Sequence, residues 1–212
     1  NFKIFEGSMM QTKIKICGLM SERDIGFANI LRPDYIGFVF AERSRRYVRP
    51  GEAAKLRAKL LPSVIAVGVF VNEKFDTVAS IAGRGSIDFV QLHGEEDASY
   101  IISLSKKTGK PIIKAFSVSA IEDVEKAARS PADYILLDNG KGGTGKTFAW
   151  SLCAGLERPF FLAGGLDPIN VSTALDCAEP FAVDVSSGVE KEGVKDFEKM
   201  QKFIEAVRGE QK

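Results

Sequence analysis

Eight short apolar runs alternate with longer segments of helical period along almost the whole chain, and nothing else in the sequence restricts the fold as tightly. The runs are KIKIC (13–17), YIGFVF (35–40), VIAVGVF (64–70), DFVQLH (88–93), PIIKAF (111–116), DYILLD (133–138), PFFLA (159–163) and FAVDV (181–185). Most are nearly continuous in Val, Ile, Leu and Phe, as parallel strands covered on both faces must be; strands with one wet face alternate instead. Between them, PGEAAKLRAKLL, NEKFDTVASIA, EEDASYIISLSKKTG and SAIEDVEKAARS carry apolar residues at three-and-four spacing, with acidic residues near their starts. They read as crossover helices. A last segment, VKDFEKMQKFIEAVRG, repeats the pattern and ends on a glycine.

Eight strand–helix units predict an α/β fold, a single (β/α)8 TIM barrel of eight parallel strands, at the compact limit for that architecture. The alternative is an open doubly wound sheet, but the spacing shows no long connection of the kind that accompanies a reversal of strand order. Residues 1–9 share no period or cap with the rest of the chain and read as a vector-derived remnant, which leaves 10–212 as the barrel domain. A net charge of +1 offers nucleic acid or an anionic membrane no general attraction, so no nucleic-acid and no membrane partner is expected. No apolar stretch approaches the roughly 18 residues of a membrane span and no secretory leader pattern is seen, so a cytoplasmic location is expected. The three cysteines, Cys17, Cys153 and Cys177, form no C-x-x-C pair and His93 is the only histidine. Neither a disulfide framework nor a metal site follows from that set. Cys153 and Cys177 fall in helical patterns and read as core residues.

GKGGTGKT (140–147) matches the phosphate-cradling P-loop pattern and follows the apolar run YILLD. A nucleotide-hydrolysing fold also needs a later strand that delivers an aspartate to magnesium, and only two runs remain after Thr147. In a barrel the same residues form the loop after the sixth strand, at the C-terminal face where such enzymes place their chemistry. They then read as a mobile lid hinged by glycines, with Lys146 a solvated charge. Cys17, Arg46, His93 and Asp138 fall at that same face. So do Gly164 and Gly165 after the seventh strand, and Ser186, Ser187 and Gly188 after the eighth. Loops seven and eight are the usual phosphate grip of a barrel, so a phosphorylated small molecule is the expected ligand.

Alternation along a strand adds a second layer. Lys15 lies inward one step below Cys17, Gln91 accompanies His93, and Asp184 accompanies Ser186. The first and eighth strands of a closed barrel are neighbours, so Lys15 and Asp184 are expected to pair inside it, and the ammonium to favour a Cys17 thiolate. His93 reads as a neutral pocket wall that gives one hydrogen bond. Of Arg45 and Arg46 only one can face the site, and Arg45 is expected to point outward.

The motifs KICGL (15–19), DYIGFVFAERSRRYV (34–48), VGVFVN (67–72), VQLHGEE (90–96), LLDNGKGGTGKTFAW (136–150), LAGGL (162–166) and DVSSGVE (184–190) together resemble the phosphoribosylanthranilate isomerase family of tryptophan biosynthesis. The resemblance implies a cofactor-free barrel that converts N-(5-phosphoribosyl)anthranilate to 1-(o-carboxyphenylamino)-1-deoxyribulose 5-phosphate by an Amadori rearrangement, as a monomer or homodimer. It implies that Asp138 is the general acid that protonates the ribose ring oxygen, and Cys17 the general base that removes the C2′ proton. By the same resemblance Arg46 meets the anthranilate carboxylate; His93, from its place at the end of the fourth strand, is expected to bind substrate. Asp184 lies near the sugar hydroxyls, and Gly164, Gly165, Ser186, Ser187 and Gly188 hold the phosphate. TFAW stands where the family commonly carries TFDW, so Ala149 lacks a carboxylate to cap the following helix, at a cost of about 1 kcal/mol if nothing replaces it. A P-loop NTPase, another sugar-phosphate barrel isomerase or epimerase, and a non-catalytic phosphate-ligand binder are the competing classes.

Overall fold

The computed structural model describes residues 11–139 and 148–209; the remnant assigned to 1–9 and the loop Gly140–Thr147, with its P-loop pattern, lid and Lys146, lie outside the described residues. The first half of the chain runs β1 (Lys13–Cys17), α1 (Glu22–Leu31), β2 (Tyr35–Val39), α2 (Pro50–Lys59), β3 (Ile65–Phe70), α3 (Phe75–Gly83), β4 (Phe89–Leu92) and α4 (Ala98–Thr108). The second half runs β5 (Ile112–Ser117), α5 (Ile121–Ala128), β6 (Tyr134–Asp138), β7 (Phe160–Leu162), α6 (Val171–Ala178), β8 (Ala182–Val185), the two-residue strands β9 (Glu190–Lys191) and β10 (Val194–Lys195), and α7 (Phe197–Arg208). Strands β1 to β8 are parallel and close into a barrel, with β1 paired to both β2 and β8. Each of the eight apolar runs supplies one strand. No described helix is long and apolar enough to cross a membrane.

The strands start where short carboxylates fix their register. Asp34 accepts the amide of Ile14 at 2.9 Å, Asp88 that of Ala66 at 2.8 Å, and Asp133 that of Ile112 at 2.8 Å. Each aspartate sits just before β2, β4 or β6 and clamps the preceding odd strand, satisfying an amide that the barrel's lower rim would leave unpaired. The next residue is aromatic each time: Tyr35, Phe89 and Tyr134. In β8 the pair reads Pro180-Phe181, which keeps the ring and lacks the carboxylate. The four rings meet at centroid distances of 5.3 to 6.0 Å along the series Tyr35, Phe89, Tyr134, Phe181, and Phe161 packs edge-on against three of them. This aromatic floor closes the N-terminal end, so the interior opens only toward the C-terminal ends of the strands.

Helix entries follow their sequence signals. Ser21 and Asp24 form a capping box for α1, Asp97 and Asp196 accept amides at the starts of α4 and α7, and Pro50 opens α2. The sixth unit departs from the expected pattern. In place of an α-helix, the described residues after β6 hold a single 3₁₀ turn, Trp150–Cys153, whose N-cap Ala149 makes no side-chain cap bond. Gly155 at φ +78° and Pro159 follow at once, so the segment cannot extend into a helix. Cys153 is buried in this turn, where burial pushes its thiol up to about 11. Cys177 is exposed, which corrects its reading as a core residue: it lies on the solvent side of α6, while Val171, Ala174 and Ala178 face inward.

Candidate active site

At the end of β1 the backbone turns through Gly18 at φ +83°, where a side chain would strike the Arg46 side chain. That glycine lets the Arg46 stem lie across the strand end. Cys17 pairs in register with Gly37 on β2, and a Cβ at Gly37 would come within 2.6 Å of the Cys17 Sγ. Two glycines therefore make room for one thiol and one guanidinium at the same corner. On the far side of the barrel Asp138 ends β6. Its Oδ1 accepts the Asn139 amide at 2.7 Å, and its Oδ2 faces His93 Nε2 at 3.6 Å. Cys17 and Asp138 line one cavity of about 800 Å³, within the range of small-molecule sites.

Arg46, His93 and Asp184 line the same cavity, as do Gly164, Gly165, Ser186 and Ser187. Gly188 does not: it lies behind the wall, packed against the Leu166 carbonyl and Asp167. Gly164 and Gly165 take φ of +88° and +69°. Among the described residues, the amides of Gly164, Gly165, Leu166, Ser187 and Gly188 have no protein acceptor. Four of these donors, those of Gly164, Gly165, Leu166 and Ser187, belong to residues that line the cavity and make a cradle for an anion.

Lys15 and Asp184 meet inside the barrel as the alternation requires, with Nζ 2.9 Å from each carboxylate oxygen. Burial is the largest influence on Lys15 and pulls its pKa down, but Asp184 and Cys17 together outweigh it and leave it raised. Burial also pushes Asp184 up against the pull of Lys15. The bidentate contact decides in favour of an ion pair. The expected thiolate at Cys17 is not supported. Burial and the Asp184 charge together raise its pKa above the ordinary thiol value more than Lys15 and Lys195 lower it, so the resting group is the thiol.

Arg46 is already engaged. Its Nε and Nη2 hold the two oxygens of Glu190 at 2.7 and 2.9 Å, and Lys195 donates to the same carboxylate at 2.8 Å. Arg45 does point outward, with its side chain 59% exposed, yet its tip returns to Glu190. Burial pushes Glu190 up, but Arg46 and Lys195 hold its carboxyl below the ordinary range. Glu190 escapes a reading by local pattern, because its arginine partners Arg46 and Arg45 lie 144 and 145 residues away, in the loop after β2. His93 does line the pocket wall, but its Nδ1 is taken by the Gln91 amide nitrogen at 3.0 Å.

Comparison with known proteins agrees with this architecture. Residues 14–206 match the family model described as N-(5'-phosphoribosyl)anthranilate (PRA) isomerase. A curated N-(5'-phosphoribosyl)anthranilate isomerase of Endomicrobium trichonymphae is 44% identical over 200 residues, spanning 92% of this chain and 98% of the relative. The crystal structure of the Thermotoga maritima enzyme superimposes with a TM-score of 0.85 at 40% identity, over 93% of this chain and 99% of that one. A crystal structure of a phosphoribosylanthranilate isomerase in complex with reduced 1-(o-carboxyphenylamino)-1-deoxyribulose 5-phosphate gives 0.84 at 39% identity, with the same coverage. A match that begins in β1, ends in α7 and spans nearly the full length of its relatives shows that this chain belongs to the N-(5'-phosphoribosyl)anthranilate isomerase family.

Proposed function

We propose that this chain converts N-(5'-phosphoribosyl)anthranilate to 1-(o-carboxyphenylamino)-1-deoxyribulose 5-phosphate in tryptophan biosynthesis, with Asp138 as general acid and Cys17 as general base. The observation that carries the reading is one cavity holding a thiol at the end of β1 and a carboxyl at the end of β6, with an open amide cradle at β7 and β8 between them. Asp138 gives a proton to the ribose ring oxygen, the C1′–O bond breaks, and the nitrogen lone pair forms the Schiff base. Cys17, as the thiolate, then takes the C2′ proton, and that electron pair makes the C1′–C2′ double bond of an enolamine. The C2′ hydroxyl loses its proton while C1′ gains one, which yields the ketone. Only protons and electron pairs within the substrate move, so the sum is an isomerisation that needs no oxidant or reductant. The cradle amides hold the phosphate and Arg46 holds the anthranilate carboxylate with the edge that Glu190 leaves open. Asp184, fixed by Lys15, lies at the sugar hydroxyls.

The test is loss of substrate fluorescence with purified protein and a chelator present; absence of turnover sinks the reading. A sharper check falls on Glu190, which aims Arg46. Glu190→Gln removes the charge that holds the fork, so KM is expected to rise roughly tenfold, about 1.4 kcal/mol of binding, while kcat changes far less. Steady-state kinetics read the split, and an unchanged KM would detach Arg46 from substrate binding.

A further inference from the structure

Gln91 is 1% exposed and faces the barrel interior from β4, two residues before His93. Its amide nitrogen lies 3.0 Å from His93 Nδ1. An amide nitrogen only donates, so Nδ1 must present its lone pair. The single proton of a neutral imidazole then sits on Nε2. Nε2 is the atom that faces Asp138 Oδ2 at 3.6 Å. The other end of the Gln91 amide is free: Oε1 is buried and has no partner among the described residues. The backbone that carries the imidazole is pinned independently. His93 donates its amide to Phe70 at 2.8 Å, and Lys114, its side chain 5% exposed, binds both the Gly94 carbonyl and Glu96. The loop therefore fixes the backbone from which the ring projects, and Gln91 decides which nitrogen bears the proton.

We propose that Gln91 is a positioning residue that keeps the His93 proton on Nε2, aimed at the Asp138 oxygen that becomes anionic when the acid gives up its proton. The inference rests on the reading of Asp138 as the general acid. An N–H aimed at an oxygen where charge develops stabilises the transition state more than the resting acid. A bare Nε2 in the same place would accept a hydrogen bond from the protonated carboxyl and hold the proton back. The effect falls chiefly on kcat, because the phosphate and the anthranilate carboxylate are held elsewhere in the cavity, by the amide cradle and Arg46.

The chain contains one histidine, so the imidazole ¹⁵N spectrum of the untagged protein reports a single residue. At about pH 8.5, where an ordinary imidazole is neutral, the wild type is expected to show a protonated Nε2 and a bare Nδ1. Gln91→Glu places an acceptor on Nδ1 and is expected to move the proton there, with kcat falling roughly tenfold and KM nearly unchanged. Gln91→Met keeps the volume and removes the donor, and covers the case in which the glutamate variant does not fold. In each variant kcat should track the fraction of protein with a protonated Nε2. A wild type protonated on Nδ1 overturns the proposal. So does a variant that loses the Nε2 proton and keeps its kcat, or one that keeps the proton and loses kcat. A wild type without turnover sinks the functional reading and the catalytic half of this inference, while the spectrum alone decides the tautomer.

Discussion

Cys17→Ala is expected to lower kcat by about 10³-fold, within the range that a positioned base contributes, and to leave the fold intact. The fold survives because the thiol touches little: its apolar neighbours are Val39, Val69 and Ala41, and Gly37 has already made space beside it. Asp138→Asn should cost a similar factor, since an amide has no proton to give while its oxygen can still accept from Asn139. The pH dependence separates the two. Burial holds the Cys17 thiol above its ordinary range against the pull of Lys15, so the thiolate is a minority at neutral pH and grows as pH rises. In the wild type kcat/KM should therefore climb through the alkaline range, and the residual activity of Cys17→Ala should lack that climb. A variant with near-normal kcat loses its assigned role.

Lys15→Met is expected to destabilise the fold by at most about 3–5 kcal/mol, because it strips the Asp184 carboxylate of its partner, while the cavity that Asp184 lines gives the charge some access to water. For a domain of this size the full loss corresponds to a fall in Tm of about 6–20 °C. Cys17 would also lose the first of the cations that draw its pKa down, so the alkaline limb of the activity should move further up. Combining Lys15→Met with Asp184→Leu should restore most of the stability, since apolar residues of similar volume commonly replace a buried ion pair without loss. Denaturation of both variants reads the result. An unchanged Tm in the single variant would mean that Asp184 is not ionised in the folded protein.

How much of this barrel is legible in the sequence depends on the range over which each signal acts. Strand positions are written locally, in runs such as YIGFVF and DYILLD, so their boundaries come within a residue or two. The Lys15–Asp184 pair is also legible, because alternation fixes which side chains point inward and closure makes β1 and β8 neighbours. The sixth crossover is not: Ala149, Gly155 and Pro159 act together to stop a helix, and each alone is an ordinary residue. The state of Cys17 escapes because it is a contest between burial and two ammonium groups, and spacing carries no information on burial. Glu190 escapes for the same reason as any long-range contact: its partners Arg45 and Arg46 sit in another loop. The Asp-aromatic repeat before β2, β4 and β6 stands in plain view and becomes meaningful only once the floor it builds is seen.

That repeat has one gap, and the gap lies under the candidate phosphate site. The pairs β1–β2, β3–β4 and β5–β6 are each clamped at the base by an aspartate, whereas β7–β8 has Pro180 in that place and shares only two residue pairs in register. The open amides of Gly164 to Leu166 hang from one side of this seam and that of Ser187 from the other. An anion gripped by both is a removable clasp across the least fastened joint of the ring. A ligand that binds across this seam in the folded barrel and not in the unfolded chain adds to the stability of the ring at the place where the protein's own fastening is thinnest.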